Sequence, residues 1–403
     1  MDLSQIDIAV VGAGPQALSL VMHLLKKRPK MRGRVQIFDS AGTWLYQWQQ
    51  QFEAQRIPYL RSPAVHHPAP NPYDLRRFAE SRPEDDLLKP YDRPSSTLFQ
   101  EFCQHLLQHW DLAGWIRPHR VIRIQSLRPR FQLELDDGTA VIARRVVMAT
   151  GSPLINLPDW AEALPPEYPS DRLCHSSAVD LRSLPHPLPE RILIVGGGLT
   201  SGHLAWGALN LGARVTLLYR RTLQESLFDT DPGWLGPKYL KQFYAEPNWD
   251  TRWAMVQSAR NGGSLTPELM TQLRQAQKSG ILQIQEDCQV QQIWWQGSEW
   301  KILCREGTSF HVNRIWLATG YRFDVSADPV WQDLRQLHPV KEVGGLPVLE
   351  EDLRWPGCHL YVMGGLTALQ LGPAARNLWG ARLASERIVP SLIHPPILSG
   401  VSA

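Results

Sequence analysis

The chain has 403 residues, of which 43% are hydrophobic and 20% are charged. This composition is typical of globular proteins, and it excludes a disordered or fibrous chain. The 42 basic and 39 acidic residues leave a formal net charge of +3, which is too small to favour nucleic acid or another polyanion as a partner.

The cysteines and the apolar runs predict where the protein works. The first apolar strand begins at Ile6, which leaves no room for a signal peptide, and no apolar run approaches the roughly 18 residues of a membrane-spanning helix. Five cysteines occur without CxxC spacing: Cys103, Cys174, Cys288, Cys304 and Cys358. We therefore expect a cytoplasmic protein with reduced thiols, without a disulfide framework, a metal site or a membrane partner.

The first forty residues contain a pattern typical of a nucleotide-binding unit. Ile6–Val11 is a short β-branched run, as a strand buried on both faces should be, and GAGPQA follows at residues 12–17. Gly12 would permit the tight turn, Gly14 would let the backbone approach a pyrophosphate, and Ala17 would let the next helix pack close to the strand. The positive N-terminus of that helix would then point at the phosphates.

An acidic residue completes this first unit. The predicted strand Val35–Phe38 ends at Asp39, where a carboxylate can accept hydrogen bonds from a ribose diol. Strand, glycines, helix, strand and terminal acid in this order predict a dinucleotide site, and the acid is suited to FAD.

A second unit of the same kind begins near residue 191. The buried run Ile192–Val195 is followed by GGGLTS at residues 196–201, which gives a GxGxxS turn, and then by a predicted helix and strand. Its expected cofactor contacts are the glycines and hydroxyls of the turn: Gly196, Gly198, Thr200 and Ser201.

The second unit ends differently from the first. The strand that starts at Arg214 is followed by Arg220 and Arg221 instead of an acid. A guanidinium can bind the 2′-phosphate of NADPH through two hydrogen bonds, whereas a carboxylate would repel it. The alternative is that both arginines are a solvated strand end. One acid-ended and one arginine-ended site predict FAD and NADPH in a single chain, with a hydride passing between them.

Two repeated triplets predict how the chain is divided. Gly151 and Gly320 each close an Ala-Thr-Gly triplet after a β-rich segment, and both are expected near a cofactor. We therefore predict an α/β fold with two Rossmann-like domains, the NADPH domain inserted into the FAD domain. The predicted FAD domain comprises residues 1–185 and 315–403, and the NADPH domain comprises residues 186–314, after a proline-rich linker.

Several other residues are candidates for the site. Near the C-terminus, Gly365 lies in a predicted turn between a strand and a helix that would present backbone N–H groups to the flavin. Arg61 is a candidate flavin or substrate contact, and so are His66 and His67, although a proline-rich surface loop explains these three equally well. His105 and His109 lack the acid of an HExxH motif, so no metal is predicted.

With these motifs in place, the chain resembles the class B flavin monooxygenases, and among them the NADPH-dependent N-hydroxylases of lysine and ornithine. Gly42-Thr43-Trp44 resembles the GGxW stretch of this family, Cys174-His175-Ser176-Ser177 resembles its HSS stretch, and Ala318-Thr319-Gly320-Tyr321 matches its ATGY. The resemblance implies that Trp44 lies at the flavin and that His175 lies on the NADPH side or at a hinge.

The chain departs from the family's relatives in two places. Pro169 and Asp171 stand where the Baeyer–Villiger signature has Phe and Gly, and residues 226–253 have no clear counterpart. Asp229 and Asp231 lie in that segment, and each could either bind a substrate amine or cap a helix.

The predicted function is transfer of one oxygen atom from O2 to a nucleophilic nitrogen or sulfur of a small substrate. An NADPH-dependent reductase or oxidase and a non-enzymatic redox-sensing flavoprotein are the alternatives. No nucleophile–base pair is visible, so the sequence names no catalytic side chain, and it leaves homo-oligomerisation open.

Overall fold

The structure, a computed structural model, describes residues 5–150, 154–165, 167–260 and 262–397. In chain order, its strands are β1 (Gln5–Val11), β2 (Val35–Phe38), β3 (Leu87–Leu88), β4 (Arg93–Pro94), β5 (Ile116–Arg117), β6 (Val121–Ser126), β7 (Phe131–Leu135), β8 (Ala140–Met148), β9 (Leu154–Ile155), β10 (Leu173–His175), β11 (Arg191–Val195), β12 (Arg214–Leu218), β13 (Leu282–Gln285), β14 (Val290–Trp295), β15 (Trp300–Cys304), β16 (Ser309–Val312), β17 (Arg314–Leu317), β18 (Tyr321–Arg322), β19 (Glu342–Val343), β20 (Leu346–Pro347) and β21 (Leu360–Val362).

The α-helices, in the same order, are α1 (Pro15–Lys27), α2 (Tyr46–Ala54), α3 (Asp74–Ala79), α4 (Ser96–His109), α5 (Asp159–Glu162), α6 (Leu199–Asn210), α7 (Pro237–Ala245), α8 (Trp249–Arg260), α9 (Pro267–Lys278), α10 (Gln332–Leu337), α11 (Ala368–Leu371) and α12 (Leu378–Ile393). None of the helices in the described ranges combines the length and the apolar character that crossing a membrane requires.

The first sheet carries the first nucleotide unit. Its strand order is β5-β2-β1-β8-β7-β6, with β21 beside β8. The central strand β1 runs parallel to β2 and β8, and its residues Ile8, Ala9 and Val10 are buried because helices cover the sheet. Helix α1 packs along α12 at the C-terminus of the chain.

The second sheet carries the second nucleotide unit. It is parallel throughout, with the order β10-β17-β11-β12-β13. Strand β10 lies before the predicted range 186–314, and β17 extends from Arg314 beyond the end of that range. Both strands belong to the second sheet, because β17 pairs with β11 and β10 pairs with β17. The α/β fold with two Rossmann-type units is confirmed, whereas the division into domains at residues 185 and 314 stays a prediction.

The two crossings between the sheets lie side by side. Strand β9, after the first sheet, pairs antiparallel with β18, after the second, so that Ile155 faces Tyr321 and Leu154 faces Arg322. The chain thus enters and leaves the second sheet at one place.

The segment between β12 and α9 packs away from its own sheet. Its helices α7 and α8 bury Leu240, Phe243 and Val256 in the same apolar cluster as the first sheet and the C-terminal strands. A side chain on Gly372 would contact Leu240, which places α7 against the loop between α11 and α12. This segment therefore connects the second unit to the core of the first.

The structure corrects two expectations. Cys288 and Cys304 form a disulfide with 6.2 Å between their Cα atoms, although the absence of CxxC spacing predicted reduced thiols. Cys288 lies in the loop after β13 and Cys304 is the last residue of β15, so the fold brings together two cysteines that are 16 residues apart. The predicted C-terminal helix is broken, because Gly372 has a φ of 80° and Pro373 follows it.

Candidate functional site

The turn after β1 closes on the strand next to it. β1 and β8 end in register, with Val11 opposite Met148. Gly12 has a φ of 100°, and a Cβ added there would lie 2.7 Å from the carbonyl oxygen of Ala149. Only glycine fits this position, because a side chain would be both strained and in collision.

The next glycine faces open space. Gly14 is the N-cap of α1, no side chain caps this helix, and an added Cβ would meet no heavy atom within 4 Å. Pro15, the first residue of α1, has no backbone N–H, and the N–H groups of the next two residues are free to bind an anion. Ala17 is fully buried behind the turn, as close packing of helix on strand requires. The space and the free donors fit a pyrophosphate.

Asp39 lies beside this turn. Its carboxylate accepts a hydrogen bond from the backbone N–H of Ala13 at 2.9 Å and another from Ala41 at 3.0 Å. The residue is only partly buried, and each carboxylate oxygen keeps a lone pair with which it can accept a further hydrogen bond.

Two other predicted contacts have partners in the protein. Trp44 is 7% exposed, and its indole N–H donates to the carbonyl of Leu112 at 3.0 Å. Arg61 donates from all three guanidinium nitrogens to residues of the second unit. Flavin contacts by both side chains stay predictions, and Gly151 lies outside the described residues.

The turn after β11 repeats the geometry of the first. Gly196 donates its N–H to Leu218 at the end of β12, as Gly12 does to Phe38 at the end of β2. A Cβ on Gly196 would overlap the carbonyl oxygen of Ala318. Gly198, the N-cap of α6, has no side-chain cap and no heavy atom within 4 Å of an added Cβ. This turn also fits a pyrophosphate.

Ser201 and Thr200, the two hydroxyl residues of the second turn, differ in their burial. Ser201 is fully buried and donates its hydroxyl to the carbonyl of Gly198 at 2.6 Å, so it braces the turn from within. Thr200, one residue earlier, is partly exposed at the first turn of α6 and is the member of the pair that can reach a ligand.

The arginines after β12 are exposed. Neither Arg220 nor Arg221 makes a hydrogen bond or ion pair with another described residue. The guanidinium of Arg221 lies over Gly262, whose added Cβ would be 3.2 Å from its Nη1, and a Cβ on Gly263 would be 2.9 Å from the Cα of Gly198. Arg221 therefore lies near the second turn with its donors available.

Gly320 and His175, two residues singled out from the sequence, lie together where the chain enters and leaves the second sheet. Gly320 has a φ of 77°, and its carbonyl accepts hydrogen bonds from the N–H of Asn156 and from Nε2 of His175, both at 3.1 Å. His175 Nδ1 accepts from the backbone of Ser177, so this tautomer is neutral, and burial lowers its pKa. These contacts place His175 beside Gly320, and its role on the NADPH side or at a hinge stays a prediction.

Residues near the C-terminus close the first turn from the other side. Gln16 on α1 donates to the carbonyls of Ala375 and Asn377, at 3.5 and 3.3 Å. Gly365 is buried against the ring of Phe323, where any side chain would overlap it. The turn at Gly365 therefore packs against Phe323. Its contact with the flavin stays a prediction.

His66 and His67 are buried, at 9% and 3% exposed. The ring of His66 lies 5.4 Å from Trp379 at the start of α12. Burial lowers the pKa of each histidine to about 4, so both are neutral at physiological pH. Neutral imidazoles at this place can donate or accept hydrogen bonds but carry no charge.

A charged cluster was not predicted from the sequence. Asp229 lies 2.8 Å from Arg260, 3.6 Å from Arg376 and 3.8 Å from Arg61. Since three guanidinium groups surround this carboxylate, it is poorly placed to bind a substrate amine. Asp231 accepts from the N–H of Gly233 at 2.7 Å and caps a short 3-10 helix. No local motif could have identified the cluster, because its members come from four distant segments.

Comparison with known families agrees with the two-turn geometry. Residues 9–153 match a family described as FAD-NAD(P)-binding. Residues 115–323, just over half of the chain, match the family described as L-lysine 6-monooxygenase/L-ornithine 5-monooxygenase. No curated protein sequence matches the chain.

Several solved structures share the fold. The ornithine N-hydroxylase KtzI from Kutzneria sp. 744 has a TM-score of 0.78 at 17% identity over 96% of this chain and 99% of its own. The ornithine hydroxylase PvdA from Pseudomonas aeruginosa has a TM-score of 0.77 at 16% identity over 96% and 98%. The cadaverine monooxygenase DfoA from Erwinia amylovora has a TM-score of 0.77 at 14% identity over 99% and 97%.

The resemblance inferred from the GxGxxA, GxGxxS and ATGY motifs is thereby confirmed. The family match identifies an enzyme that uses FAD and a nicotinamide dinucleotide. The chain belongs to the L-lysine 6-monooxygenase/L-ornithine 5-monooxygenase family of flavin-dependent oxidoreductases.

Proposed function

We propose that the protein is an NADPH-dependent N-hydroxylase that transfers one oxygen atom of O2 to a primary amine on a short aliphatic chain. The balanced reaction is R–NH2 + O2 + NADPH + H+ giving R–NHOH + H2O + NADP+. The observation that carries the proposal is the pair of open glycine turns, at Gly14 and Gly198, within a chain of the lysine/ornithine monooxygenase family.

The first turn is proposed to hold FAD. Gly14 and the free N–H groups of α1 would bind the pyrophosphate, and Asp39 would bind the ribose. When bound, FAD accepts a hydride from NADPH and, once reduced, activates O2 for oxygen transfer. The chain itself supplies binding, orientation and exclusion of water, which is why no nucleophilic side chain is needed.

The second turn is proposed to hold NADPH. Gly198 and Thr200 would contact the pyrophosphate, and the unpaired guanidinium groups of Arg220 and Arg221 would bind the 2′-phosphate. Because neither arginine has a partner among the described residues, binding a phosphate would not require an existing ion pair to break.

We infer the substrate class from the family match and from the uncharged environment that a nucleophilic amine requires. Ornithine, lysine and cadaverine, named for the similar structures, share a primary amine at the end of an aliphatic chain. An amine must be uncharged to act as a nucleophile. We place the amine near His66 and His67, which the sequence predicts as candidate substrate contacts, because their neutral rings suit an uncharged amine, whereas a nearby carboxylate would stabilise the ammonium form.

The test is a coupled measurement of product and cofactor. The purified protein would be reduced anaerobically with NADPH or NADH, then mixed with O2 and each of ornithine, lysine and cadaverine. We expect flavin reduction by NADPH in preference to NADH, and a product heavier by one oxygen atom in proportion to the NADPH consumed. Consumption of NADPH with release of hydrogen peroxide and no oxygenated amine would favour the oxidase alternative, and absence of flavin reduction would favour a redox-sensing flavoprotein.

A further inference from the structure

Arg61 joins the first nucleotide unit to the second. It lies on the loop between α2 and α3, and its hydrogen bonds go to residues 165 to 203 positions away. Its acceptors are the carbonyls of Ser226 at 2.6 Å, Leu227 at 3.0 Å, Phe228 at 2.8 Å and Ser264 at 3.3 Å, together with the Ser264 hydroxyl at 2.6 Å.

The hydrogen bonds of Arg61 form in a largely buried environment. The side chain of Arg61 is 12% exposed, and burial lowers its pKa to about 10, although Asp229 opposes this shift. The guanidinium is therefore still charged at neutral pH, but it has lost most of its hydration. Since desolvating a cation is costly, its carbonyl partners are needed to keep it in place.

Asp229 extends this contact to the C-terminal part of the chain. Arg260 at the end of α8 donates to Asp229 at 2.8 Å and to the carbonyl of Pro373 at 3.0 Å. Arg376 lies 3.6 Å from the same carboxylate. We call Arg61, Asp229, Arg260 and Arg376 the arginine clamp.

The arginine clamp is connected to both dinucleotide turns through residues that lie only a few positions away in the sequence. Ser264, which binds Arg61, follows Gly263, and a Cβ on Gly263 would lie 2.9 Å from the Cα of Gly198. On the other side, Pro373 leads to Ala375, whose carbonyl binds Gln16 in the first turn of α1. Movement of the clamp would therefore change the separation between the two turns.

We propose that Arg61 and Asp229 are positioning residues that hold the NADPH turn and the FAD turn at the separation that hydride transfer requires. This inference rests on the proposed function, specifically on the step NADPH + FAD + H+ giving NADP+ + FADH2. Reacting atoms must approach to about 3–3.5 Å, and a displacement of about 1 Å reduces the rate on the order of 100-fold. The hydrogen bonds and ion pairs of Arg61 and Asp229 go to other residues of this chain, so we assign both a positioning role and not a catalytic one.

The test uses Arg61→Gln and Asp229→Asn in the full-length, FAD-loaded protein. Arg61→Gln removes the charge and most of the donors, and Asp229→Asn removes the charge that holds Arg260 and Arg376. Arg182→Gln is the matched control, because it removes the same charge and donors from an arginine that also makes several hydrogen bonds, to Asp180, Glu53 and Gln50, but is 39% exposed and contacts no member of the arginine clamp.

The readout is anaerobic stopped-flow reduction of the flavin at increasing NADPH. We expect the limiting rate to fall about 10- to 100-fold in both variants, with FAD content and the NADPH dissociation constant close to those of the control. Arg61→Lys should recover part of the rate, because an ammonium can bind some but not all of the carbonyls. A limiting rate equal to the control, or a loss confined to NADPH affinity, would overturn the proposal.

Hydrogen exchange gives a second readout that does not depend on turnover. In Arg61→Gln we expect faster exchange at residues 226–228 and 262–265 and at both glycine turns, whereas unchanged exchange at both turns would contradict the clamp. If NADPH does not reduce the native protein, the proposed function fails, and the exchange data still decide whether the clamp holds the turns. If Arg61→Gln does not fold, Asp229→Asn, whose side chain is 26% exposed, carries both measurements.

Discussion

Replacing Gly198 with alanine is expected to weaken NADPH binding without disturbing the fold. An added Cβ meets no heavy atom within 4 Å, and Gly198 does not have a positive φ, because it is extended at φ −101° and ψ 177°. The folded protein can therefore accept the methyl group, at a cost of at most about 1 kcal/mol for the poorer N-cap. The methyl group would instead occupy the space through which the pyrophosphate approaches the backbone.

The expected magnitude follows from the hydrogen bond that is lost. A hydrogen bond to a charged group contributes about 1.5–3 kcal/mol, which corresponds to a roughly 10- to 100-fold weaker NADPH dissociation constant. The assay is anaerobic NADPH titration of the flavin reduction rate, together with FAD content and thermal unfolding. Gly196→Ala is the contrasting variant, because its Cβ would overlap Ala318 and it should lower the melting temperature.

Gly14→Ala is the matched control for the identity of the cofactor. It adds the same methyl group to the equivalent open position of the first turn, so it should reduce FAD content and leave the NADPH dissociation constant of the remaining holoenzyme near the native value. If Gly198→Ala binds NADPH as tightly as the native protein, or if the two variants have the same effect, the assignment of the two turns is refuted.

Four further outcomes are expected. Replacing Arg220 and Arg221 with glutamine should reduce the preference for NADPH over NADH, as kcat/KM for each, by about tenfold or more, since a charge-assisted pair is lost; an unchanged ratio would contradict their role. Gly365→Ala should destabilise the protein because a Cβ would overlap an aromatic ring, which thermal unfolding would detect. Burial lowers the pKa of His67 from 6.5 to about 4, so the unfolded chain binds a proton there first, and stability should fall as the pH drops from 6.5 towards 4, by about 1.4 kcal/mol per pH unit; urea unfolding of His67→Leu should show a shallower dependence. Cys288→Ser removes a disulfide between residues 16 apart and should cost about 3 kcal/mol of stability, whereas equal stability with and without reductant would show that the bond is not formed in solution.

Local features of the fold were predictable from the sequence. The predicted strands Ile6–Val11, Val35–Phe38 and Ile192–Val195 lie within one residue of β1, β2 and β11, and a helix follows each glycine turn as predicted, because β-branched runs and glycine turns are properties of neighbouring residues. The requirement for glycine at positions 12 and 196 was visible for the same reason, since a turn between a buried strand and a helix has few solutions.

Features that depend on distant contacts were not predictable. The acceptors of Arg61 lie 165 to 203 residues away, and no pattern in its own loop indicates them. The disulfide between Cys288 and Cys304 depends on how the loop after β13 meets the end of β15. The pairing of β10 with β17 joins strands about 140 residues apart in the sequence, because sheet pairing is decided by tertiary neighbours.

The antiparallel pairing of β9 with β18 has a consequence for engineering and evolution. Because the outgoing and returning chains lie together at Ile155 and Tyr321, the whole intervening nucleotide unit has its two ends adjacent in space. Such an arrangement allows one module to be excised and another grafted through two neighbouring junctions, without cutting the first sheet. A change of reductant could thus arise by module exchange, provided that the incoming module also supplies acceptors for Arg61 and apolar side chains in place of Leu240, Phe243 and Val256.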